Sequence, residues 1–462
     1  MSYAAALDSL HLRVGELHAA PGQPRRKFRL EEMQTLVEAL GHPERHFRSI
    51  LIAGTNGKGS TAATLASILQ SAGIRTGLYT SPHLSRVNER IRIDGQPIAD
   101  HDFARHYFRV DDCALELIAA GRLPAAPSFF EALTALAFLA FAQASIDVAI
   151  LEVGMGGRLD ATNVVDPLLS VITDISLDHT EWLGDTITLI AREKAGILRR
   201  NGTLVTLPQH PEANQAIGEV AVELDVRGVN AAEYLPFGAT NSGGLRMPYP
   251  LDVLGETIQI DSPLYGEHQR RNMALAIAAA VELRNHHGYK IMPAQIADGI
   301  CRTRWPGRLE FFSVPALAGG ASGAERRQSV LLDVAHNPAG AWTLRAALSS
   351  LSLGQSTAGA VLVFGCMKDK AFEEMAQILF PIFDLVVVTP VASPRSATAA
   401  ELLEAAAKTG VRAVAATDGC DAFERARVAA PPDGLIVVAG SVYLVGEVRA
   451  MLVAQGYAGG CA

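Results

Sequence analysis

The feature that most constrains the fold is an apolar run that ends in a glycine-rich loop and continues into a helical pattern. Residues 49–54 read SILIAG, a β-branched segment, and residues 61–73 read TAATLASILQSAG, an apolar helix with a glycine stop. Between them lies TNGKGS. Backbone N–H groups in such a loop, backed by a helix N-terminus, form a site for phosphate oxygens. The sequence therefore predicts a phosphate-binding loop between a strand and a helix.

The spacing of this loop differs from that of the usual P-loop. The usual signature has four residues between its glycines, and its lysine is followed directly by serine or threonine. Here two residues separate the first two glycines, and Gly59 intervenes between Lys58 and Ser60. Taken alone, the loop is either an ordinary strand–helix turn or a variant phosphate site. In the second case Lys58 contacts the β- and γ-phosphates, and Ser60 or Thr61 approaches a metal ion; the preceding buried strand favours this interpretation.

Composition excludes several classes of protein. Apolar residues make up 49% of the 462 residues, which is enough for a large core, and the net charge of −8 argues against nucleic acid as a partner. The most apolar stretch, residues 132–144, is shorter than the roughly 20 residues that a bilayer requires. The five cysteines show no metal-ligand spacing and are typical of a reducing compartment. We expect a cytoplasmic protein without a membrane segment, and a monomer.

Strands and helices alternate along the chain in two blocks, which indicates an α/β fold with parallel sheets covered on both faces. In the first block the helical signal fades between residues 202 and 262, so an accessory β region is expected there. A new alternation starts near Trp305, so we expect two domains, residues 1–304 and 305–462. Residues 315–328 are small and polar, and predict a flexible hairpin tip.

Polar side chains follow the predicted strands of the first block. Glu152 lies in the apolar run VAILEVG, and a buried carboxylate without a partner is costly, so it is either metal-bound or ion-paired. His179 follows the next strand and is either a core histidine or a metal ligand. Lys194 is predicted at the start of a helical turn near the same strand ends, where it neutralises phosphates or Glu152. The second block adds a cluster at Asp333 and His336, which suggests a cleft that closes on substrates.

Ten short motifs then make the chain recognisable. Between residues 54 and 447 they occur in the order GTNGKGST, YTSPHLSRVNERI, FFEALTALAF, LEVGMGGRLDATN, DHTEWLG, REKAGI, PGRLE, DVAHNP, VFGCMKDK and AGSVYLVGEV. Together they closely resemble the folylpolyglutamate synthase/dihydrofolate synthase family of the ATP-dependent Mur-ligase superfamily. The resemblance covers nearly the whole chain, and the family's own phosphate loop has the spacing seen here.

The resemblance implies a fold and a reaction. The fold is an N-terminal P-loop ATPase domain with a parallel sheet, followed by a smaller Rossmann-like domain that carries the glutamate-ligase function. The reaction is ATP-dependent ligation of L-glutamate to dihydropteroate, which makes dihydrofolate, and to the γ-carboxyl of reduced folates. ATP phosphorylates the substrate carboxylate, and the glutamate amine displaces phosphate from the acyl phosphate. Mg²⁺ at two sites and lysine neutralise the transferring charge.

The resemblance also implies roles for individual residues. The implied ATP contacts are Asn56, Gly57, Lys58, Gly59, Ser60, Thr61, Asn272, Arg308 and Asp333. The implied metal ligands are Ser81, Glu152, His179 and Lys194, the last as a carbamate. The implied substrate contacts are Ser128, Phe130, Asp160 and Ala161 around the pterin, with His336 and Ser441 near the incoming glutamate. The implied catalytic residues are Lys58, His179, Lys194 and His336.

Three alternatives remain open at this point. The chain could be a folylpolyglutamate synthase only, or another Mur-type ligase that acts on a UDP-sugar peptide. Such ligases usually carry an additional N-terminal UDP-binding domain, whereas about 50 residues precede the loop here. A non-enzymatic nucleotide switch is the third alternative, and it leaves Glu152, His179, Lys194 and His336 unexplained.

Overall fold

The computed structural model describes residues 2–13, 29–236, 248–317, 326–351 and 359–460. It contains a large sheet in its N-terminal region, a two-stranded hairpin, and a second sheet in its C-terminal region. The fifteen α-helices of the described residues are α1 Tyr3–His11, α2 Leu30–Ala39, α3 Lys58–Ser71, α4 Asp100–Ala119, α5 Phe129–Ala144, α6 Thr180–Leu183, α7 Ile187–Ala195, α8 Pro211–Glu223, α9 Glu267–His287, α10 Pro293–Arg302, α11 Pro338–Leu351, α12 Phe372–Leu379, α13 Ala399–Thr409, α14 Gly419–Ala429 and α15 Val442–Ala454.

The large sheet has eight strands in the order β4-β3-β2-β5-β1-β6-β7-β8, and all neighbours are parallel except the pairs made by β3. Strands β9 and β10 pair with each other as a separate antiparallel hairpin. The ten strands are β1 Arg48–Ala53, β2 Thr76–Tyr79, β3 Ile91–Ile93, β4 Gln96–Pro97, β5 Val148–Glu152, β6 Leu169–Ile172, β7 Thr203–Thr206, β8 Arg227–Asn230, β9 Tyr249–Val253 and β10 Glu256–Ile260.

The second sheet has six strands in the order β11-β12-β16-β13-β14-β15, and only the β11–β12 pair is antiparallel. Its strands are β11 Glu310–Pro315, β12 Arg327–Leu332, β13 Val361–Phe364, β14 Leu385–Val388, β15 Ala413–Ala415 and β16 Leu435–Ala439. The predicted α/β class with two parallel-rich sheets is confirmed. The predicted domain boundary at residues 304/305 falls between α10 and β11 and stays a prediction.

Strand β1 shows why the large sheet needs helices on both faces. Ile50 and Ile52 pack into the core shared with α3, α9 and α10, whereas Leu51 and Ala53 pack into the opposite core with α4 and α5. All four side chains are fully buried. Because successive residues of a strand point to opposite faces, a strand that is apolar at every position must be covered twice. Its carboxyl end is then the free edge at which a ligand can enter.

Two sequence-based expectations about the fold are wrong. Residues 202–262 do not form a separate β region: β7 and β8 extend the large sheet, and α8 lies between them, so that only β9 and β10 stand apart. Helix α8 has 13 residues, but the strands on either side of it have only four residues each, so the alternation of strand and helix is weak in the sequence. Lys194 lies in the last turn of α7, not at the start of a helical turn. The expected hairpin tip falls largely on residues 318–325, outside the described residues.

Candidate active site

A cleft of about 400 Å³ opens at the carboxyl ends of β1, β5 and β6, and residues of both regions line it. The N-terminal region contributes the phosphate loop and the segments that follow β2, β5 and β6. The C-terminal region contributes the segments around β12. The predicted site residues that line this cleft are Asn56, Gly57, Lys58, Gly59, Ser60, Ser81, Glu152, His179, Lys194, Asn272, Arg308, Asp333 and His336.

The glycines of the phosphate loop leave room for close neighbours. Gly57 has a φ of 87°, which favours glycine, and a Cβ there would lie 2.2 Å from Oδ1 of Asn272. A Cβ on Gly54 would lie 1.8 Å from Oγ1 of Thr173, and one on Gly59 would lie 2.8 Å from the Trp305 ring. Three separate segments therefore hold the loop against the start of α3.

Hydrogen bonds further fix the loop to the segment after β6. The Thr55 N–H donates to the Asp174 carbonyl oxygen over 2.9 Å, and the Thr55 hydroxyl donates to the Ser176 carbonyl oxygen over 3.0 Å. The Lys58 amine donates to the Thr55 carbonyl oxygen over 3.1 Å, so its charge stays at the mouth of the loop. The hydroxyl of Thr61 is buried and has no hydrogen-bond partner among the described residues, and Thr61 does not line the cleft.

Glu152, the last residue of β5, places a buried carboxylate beside the loop. Its Oε2 accepts a hydrogen bond of 3.1 Å from the Ser81 N–H. Burial raises the pKa of Glu152, and the nearby charges of Lys58 and Arg308 oppose that shift. In the described residues no ion pair within 4 Å neutralises Glu152, so it is available to a cation.

His179 begins α6 from a left-handed backbone conformation, with a φ of 52°. Burial and the charge of Lys370 lower the pKa of His179 to about 4, so the imidazole is neutral near pH 7 and can act as a ligand. Its neighbour Asp178 accepts hydrogen bonds from two residues of the C-terminal region: Lys370 over 2.6 Å and Asn337 over 3.3 Å.

The side chain of Lys194 reaches the phosphate loop from α7. Its amine donates to the Gly54 carbonyl oxygen over 2.7 Å, and the residue is 4% exposed. Burial, together with the charge of Lys58, lowers the pKa of Lys194 to about 7. A large fraction of the amine is therefore neutral, and a neutral amine is the form that can react with CO₂ to give a carbamate.

The C-terminal region supplies two buried groups of opposite charge, Arg308 and Asp333, and an imidazole. Both oxygens of Asp333 accept backbone N–H groups, from Leu309 over 3.0 Å and from Ala335 over 2.9 Å, and its charge offsets that of Arg308. Nδ1 of His336 lies 2.9 Å from the Val334 carbonyl oxygen, and burial and the charge of Lys370 lower its pKa to about 4. Nδ1 of the neutral ring donates to that carbonyl, which leaves Nε2 as a base.

Asn272 approaches the phosphate loop from α9. It is 5% exposed, and its amide nitrogen donates to Oε1 of Gln269 over 2.8 Å. The same amide lies directly against Gly57, so α9 packs against the phosphate loop at this point.

The predicted substrate residues outside His336 do not line the cleft. The Ser128 and Ser441 hydroxyls cap the starts of α5 and α15, and both oxygens of Asp160 accept hydrogen bonds from nearby backbone, Met155 and Thr162. Ala161 is buried beside Asp160. Phe130 is buried, but its ring lies directly beneath Gly154, which does line the cleft.

Sequence reasoning did not assign a role to Lys370, which reaches into the N-terminal region from the loop after β13. The signal available was the same strand-end rule that singled out Asp333, applied to the next apolar run VLVF. A pair formed between residues 192 positions apart cannot be read from one sequence.

The donor set fits a hard divalent cation next to phosphates. Glu152 offers a buried carboxylate and His179 a neutral imidazole, and a carbamate on Lys194 would add oxygens at the same cleft. Lys58 and the loop N–H groups complement the phosphates. Within the described ranges, no helix has the length and apolar character needed to cross a membrane.

Comparison with protein families matches both regions of the chain to Mur ligase domains. Residues 52–280 match the Mur ligase middle domain, and residues 321–442 match the Mur ligase glutamate ligase domain. The folylpolyglutamate synthase of Lacticaseibacillus casei is 35% identical over 427 residues, which cover 90% of this chain and 93% of that protein. The dihydrofolate synthase/folylpolyglutamate synthase of Bacillus subtilis is 33% identical, over 92% and 94% of the two chains.

Solved structures of two such enzymes share the fold of nearly the whole chain. Folylpolyglutamate synthase of Mycobacterium tuberculosis, complexed with ADP and AMPPCP, superposes with a TM-score of 0.83 and 34% identity over 97% of this chain and 98% of that one. FolC of E. coli, in complex with DHPP and ADP, superposes with a TM-score of 0.81 and 30% identity over 99% of each chain.

Proposed function

Because this chain belongs to the folylpolyglutamate synthase/dihydrofolate synthase family of Mur ligases, we propose that it both makes dihydrofolate and extends folates with glutamate. The ligation of L-glutamate to folates at the expense of ATP is the activity that the family establishes. The addition of glutamate to dihydropteroate is the finer part of the proposal. The observation that carries the proposed ligase reaction is the shared cleft, in which the phosphate loop of one region faces the His336 imidazole of the other.

The first step is transfer of the γ-phosphoryl group from ATP to the substrate carboxylate. Amide formation from a carboxylate is unfavourable in water, so the carboxylate must first become an acyl phosphate. Lys58 and the N–H groups of residues 57–60 hold the phosphates, with Ser60 at the mouth of the loop and Thr61 beneath it. Arg308 and Asp333 contact the nucleotide from the C-terminal region, and Asn272 contacts it from α9. These groups act by position and charge rather than by covalent chemistry.

Ser81, Glu152, His179 and Lys194 would hold Mg²⁺, with Lys194 as its carbamate. When bound, the metal neutralises the charge that develops on the phosphoryl oxygens. The residues themselves arrange this position: the Ser81 N–H orients Glu152, and the His179 ring stays neutral because it is buried. Conversion of Lys194 from a cation to an anion removes a repulsive charge and supplies oxygen ligands.

The second step is attack of the glutamate amine on the acyl phosphate. The glutamate must lose a proton to become a nucleophile, and Nε2 of His336 can accept it because Nδ1 donates to Val334. Ser441, at the start of α15, contributes to the glutamate site through its hydroxyl and the helix N-terminus. The new C–N bond forms as phosphate leaves.

The pterin ring is proposed to lie near Phe130, above Gly154. The absence of a side chain at Gly154 lets the Phe130 ring pack against the backbone that lines the cleft, since a Cβ there would lie 2.6 Å from that ring. A flat, aromatic substrate ring above Gly154 would then lie close to the Phe130 ring. Ser128 and Asp160 act here by shaping the adjacent backbone, because their side-chain oxygens already accept backbone N–H groups of α5 and of the LDATN segment. Ala161 is buried beside Asp160 and acts through its position in that segment.

The test is product analysis by mass spectrometry. Pure protein receives ATP, Mg²⁺ and L-glutamate with either dihydropteroate or tetrahydrofolate. Dihydrofolate from the first mixture and polyglutamates from the second support both activities. Polyglutamates alone would leave a folylpolyglutamate synthase, the alternative that the relative from L. casei favours by its name.

The proposal includes a monomer that works in the cytoplasm. The four cysteines in the described part of the chain, Cys113, Cys301, Cys366 and Cys420, are free thiols, as expected in a reducing compartment. Sedimentation velocity with and without ADP tests the monomer, and a second boundary at higher sedimentation coefficient would contradict it.

A further inference from the structure

Asp178 is the point at which the C-terminal region makes polar contact with the segment that carries His179. Its Oδ1 accepts the Lys370 amine over 2.6 Å, and its Oδ2 accepts the Asn337 amide over 3.3 Å. The same Oδ1 accepts the His179 N–H over 2.9 Å. Both side chains of the Asp178–Lys370 pair are about nine-tenths buried, at 10% and 12% exposure.

Asn337 extends this contact to the phosphate loop. Its amide nitrogen also donates to Oδ1 of Asn56 over 3.0 Å, while its own Oδ1 accepts the Gly340 N–H over 2.8 Å. Asn337 is 2% exposed, so these bonds form away from water, and one side chain touches the loop, Asp178 and the start of α11.

We infer that Lys370 and Asn337 are positioning residues, which fix the His179 segment and the phosphate loop only while the two regions are closed against each other. The inference deepens the proposed function and rests on it for its catalytic meaning. Asp178 orients the N–H of His179, whose backbone is in the strained left-handed conformation. When the regions separate, Asp178 loses two of its three donors, and among the described residues only the backbone N–H of His179 still donates to its carboxylate.

The consequence for the reaction is a coupling between closure and phosphoryl transfer. His336, the proposed base, is adjacent to Asn337 and moves with it. The segment that positions His179 for phosphoryl transfer is therefore complete only when the base for the second step is also in place. An acyl phosphate then forms only in a site that can consume it, which limits its loss to water.

The experiment compares Lys370→Met with Lys368→Met. Lys368 lies two residues away on the same loop, but its amine pairs with Glu401 over 3.2 Å within the C-terminal region, so it is a matched control. We expect Lys370→Met to lower kcat by about tenfold, since coupling across a broken interdomain contact reaches that size. ADP binding should be unchanged, and Lys370→Arg should recover much of the rate. Lys368→Met should behave as the parent protein.

A distance measurement makes the positioning role visible without any folate. Labels introduced through an unnatural amino acid at Glu116 and Glu404, one in each region, report closure in the ADP complex. Lys370→Met and Asn337→Leu should shift this distance toward longer values, and a double-mutant cycle of Asn56→Ala with Asn337→Leu should be non-additive. If Lys370→Met leaves the distance unchanged and raises only the KM for glutamate, Lys370 contacts substrate and the inference is overturned.

The two proposals fail separately. A parent protein that forms no glutamylated product would remove the proposed function, whereas the label distance in the ADP complex would still report on Lys370 and Asn337. Equal distances in the Lys370→Met and Lys368→Met proteins would remove the inference and leave the ligase activity intact.

Discussion

The Lys194 amine lies 2.7 Å from the Gly54 carbonyl oxygen, so the end of α7 is joined to the first residue of the phosphate loop. This contact places a buried amine at the carboxyl end of β1, where a divalent cation is proposed to bind. The free ammonium and the carbamate would satisfy different partners there: the ammonium needs the carbonyl oxygen, and the carbamate needs a cation.

Removal of CO₂ should therefore inactivate the protein reversibly. With a pKa of about 7, Lys194 is partly neutral at physiological pH and can form a carbamate. We expect degassed enzyme to lose most of its activity and to regain it with bicarbonate. ¹³C NMR with labelled bicarbonate should show a carbamate signal that Lys194→Ala lacks. Acetate should partly rescue that variant; an unmodified ammonium in a Mg²⁺- and nucleotide-bound structure would contradict the prediction.

Lys194 should also make stability depend on pH. Its folded pKa is depressed below the value of about 10.5 in the unfolded chain, so the unfolded state binds more protons between pH 7 and 10.5. In metal- and CO₂-free buffer, the stability of the parent protein relative to Lys194→Met should rise across this interval and level off above it. Thermal melts of the two proteins at matched pH measure this difference in stability. If the stability of both proteins changed with pH in the same way, the lowered pKa of Lys194 would be contradicted.

Lys58→Ala should abolish ATP turnover and leave the fold intact. The loop between β1 and α3 holds its shape through Thr173, Asn272 and Trp305, none of which contacts the lysine amine. Loss of the charge at the transferring phosphate should cost several kcal/mol of barrier. ADP release assays and melting curves test this, with the exposed Lys290→Ala as control. Near-normal turnover would remove Lys58 from its role.

Glu152→Gln should weaken the response to Mg²⁺. The substitution keeps the shape of the side chain and its bond from Ser81, but removes the charge. Outer-shell partners of metal ligands already account for roughly 10- to 100-fold in affinity, so a direct ligand should cost about tenfold or more. A titration of rate against Mg²⁺ tests this; the parent titration curve in the variant would assign Glu152 a structural role.

His336 should stay neutral throughout the range in which an ordinary histidine titrates. Because burial and Lys370 lower its pKa to about 4, protonation of His336 should not reduce the rate between pH 5.5 and 7. His336→Ala should lower kcat by about 10²-fold, the lower end of the usual contribution of a general base, because an imidazole with a pKa of about 4 is a weak base. If the rate of the parent enzyme fell as the pH dropped below 6.5, and this fall were absent in His336→Asn, the lowered pKa of His336 would be contradicted.

Phe130→Leu should raise the KM for dihydropteroate by about fivefold, because stacking beyond area burial is worth roughly 1 kcal/mol. Leucine keeps apolar contact with Tyr79, whose ring centroid lies 5.6 Å from that of Phe130, so the fold should persist. The KM for ATP should not change. Equal changes in both constants would indicate a packing defect rather than a lost pterin contact.

The sequence was sufficient for the parts of the site that are local. The strand–loop–helix at residues 49–73 and the polar residues after each apolar run could be predicted because strand ends of a parallel sheet meet at one edge. The Asp178–Lys370 pair could not, because it depends on how two regions face each other. The prediction that Lys194 starts a helical turn is wrong because α7 already begins at Ile187, soon after the four-residue helix α6, so that Lys194 falls in its last turn.

The substrate contacts that the resemblance implies at Ser128, Asp160 and Ser441 stay predictions, and they show the limit of the resemblance. The motif identifies the positions, yet the hydroxyl or carboxylate at each position already satisfies backbone N–H groups. One sequence cannot separate a residue that touches a ligand from one that shapes the backbone next to it, because both roles require the same small polar side chain at the same place.

The close packing of the three loop glycines has a calorimetric consequence. A loop that orders only when its ligand arrives loses about 1–2 kcal/mol of backbone entropy per residue at that moment. Here Thr173, Asn272 and Trp305 already confine residues 54–59, so that loss occurs during folding. ADP should then bind this loop without a large unfavourable ordering entropy. The amide hydrogens of Thr55 and Asn56, which donate to the Asp174 carbonyl oxygen, should exchange slowly before nucleotide is added. The fold therefore orders the phosphate site before nucleotide binds. The entropy lost in this ordering lowers the free energy of unfolding and does not weaken the affinity for ADP.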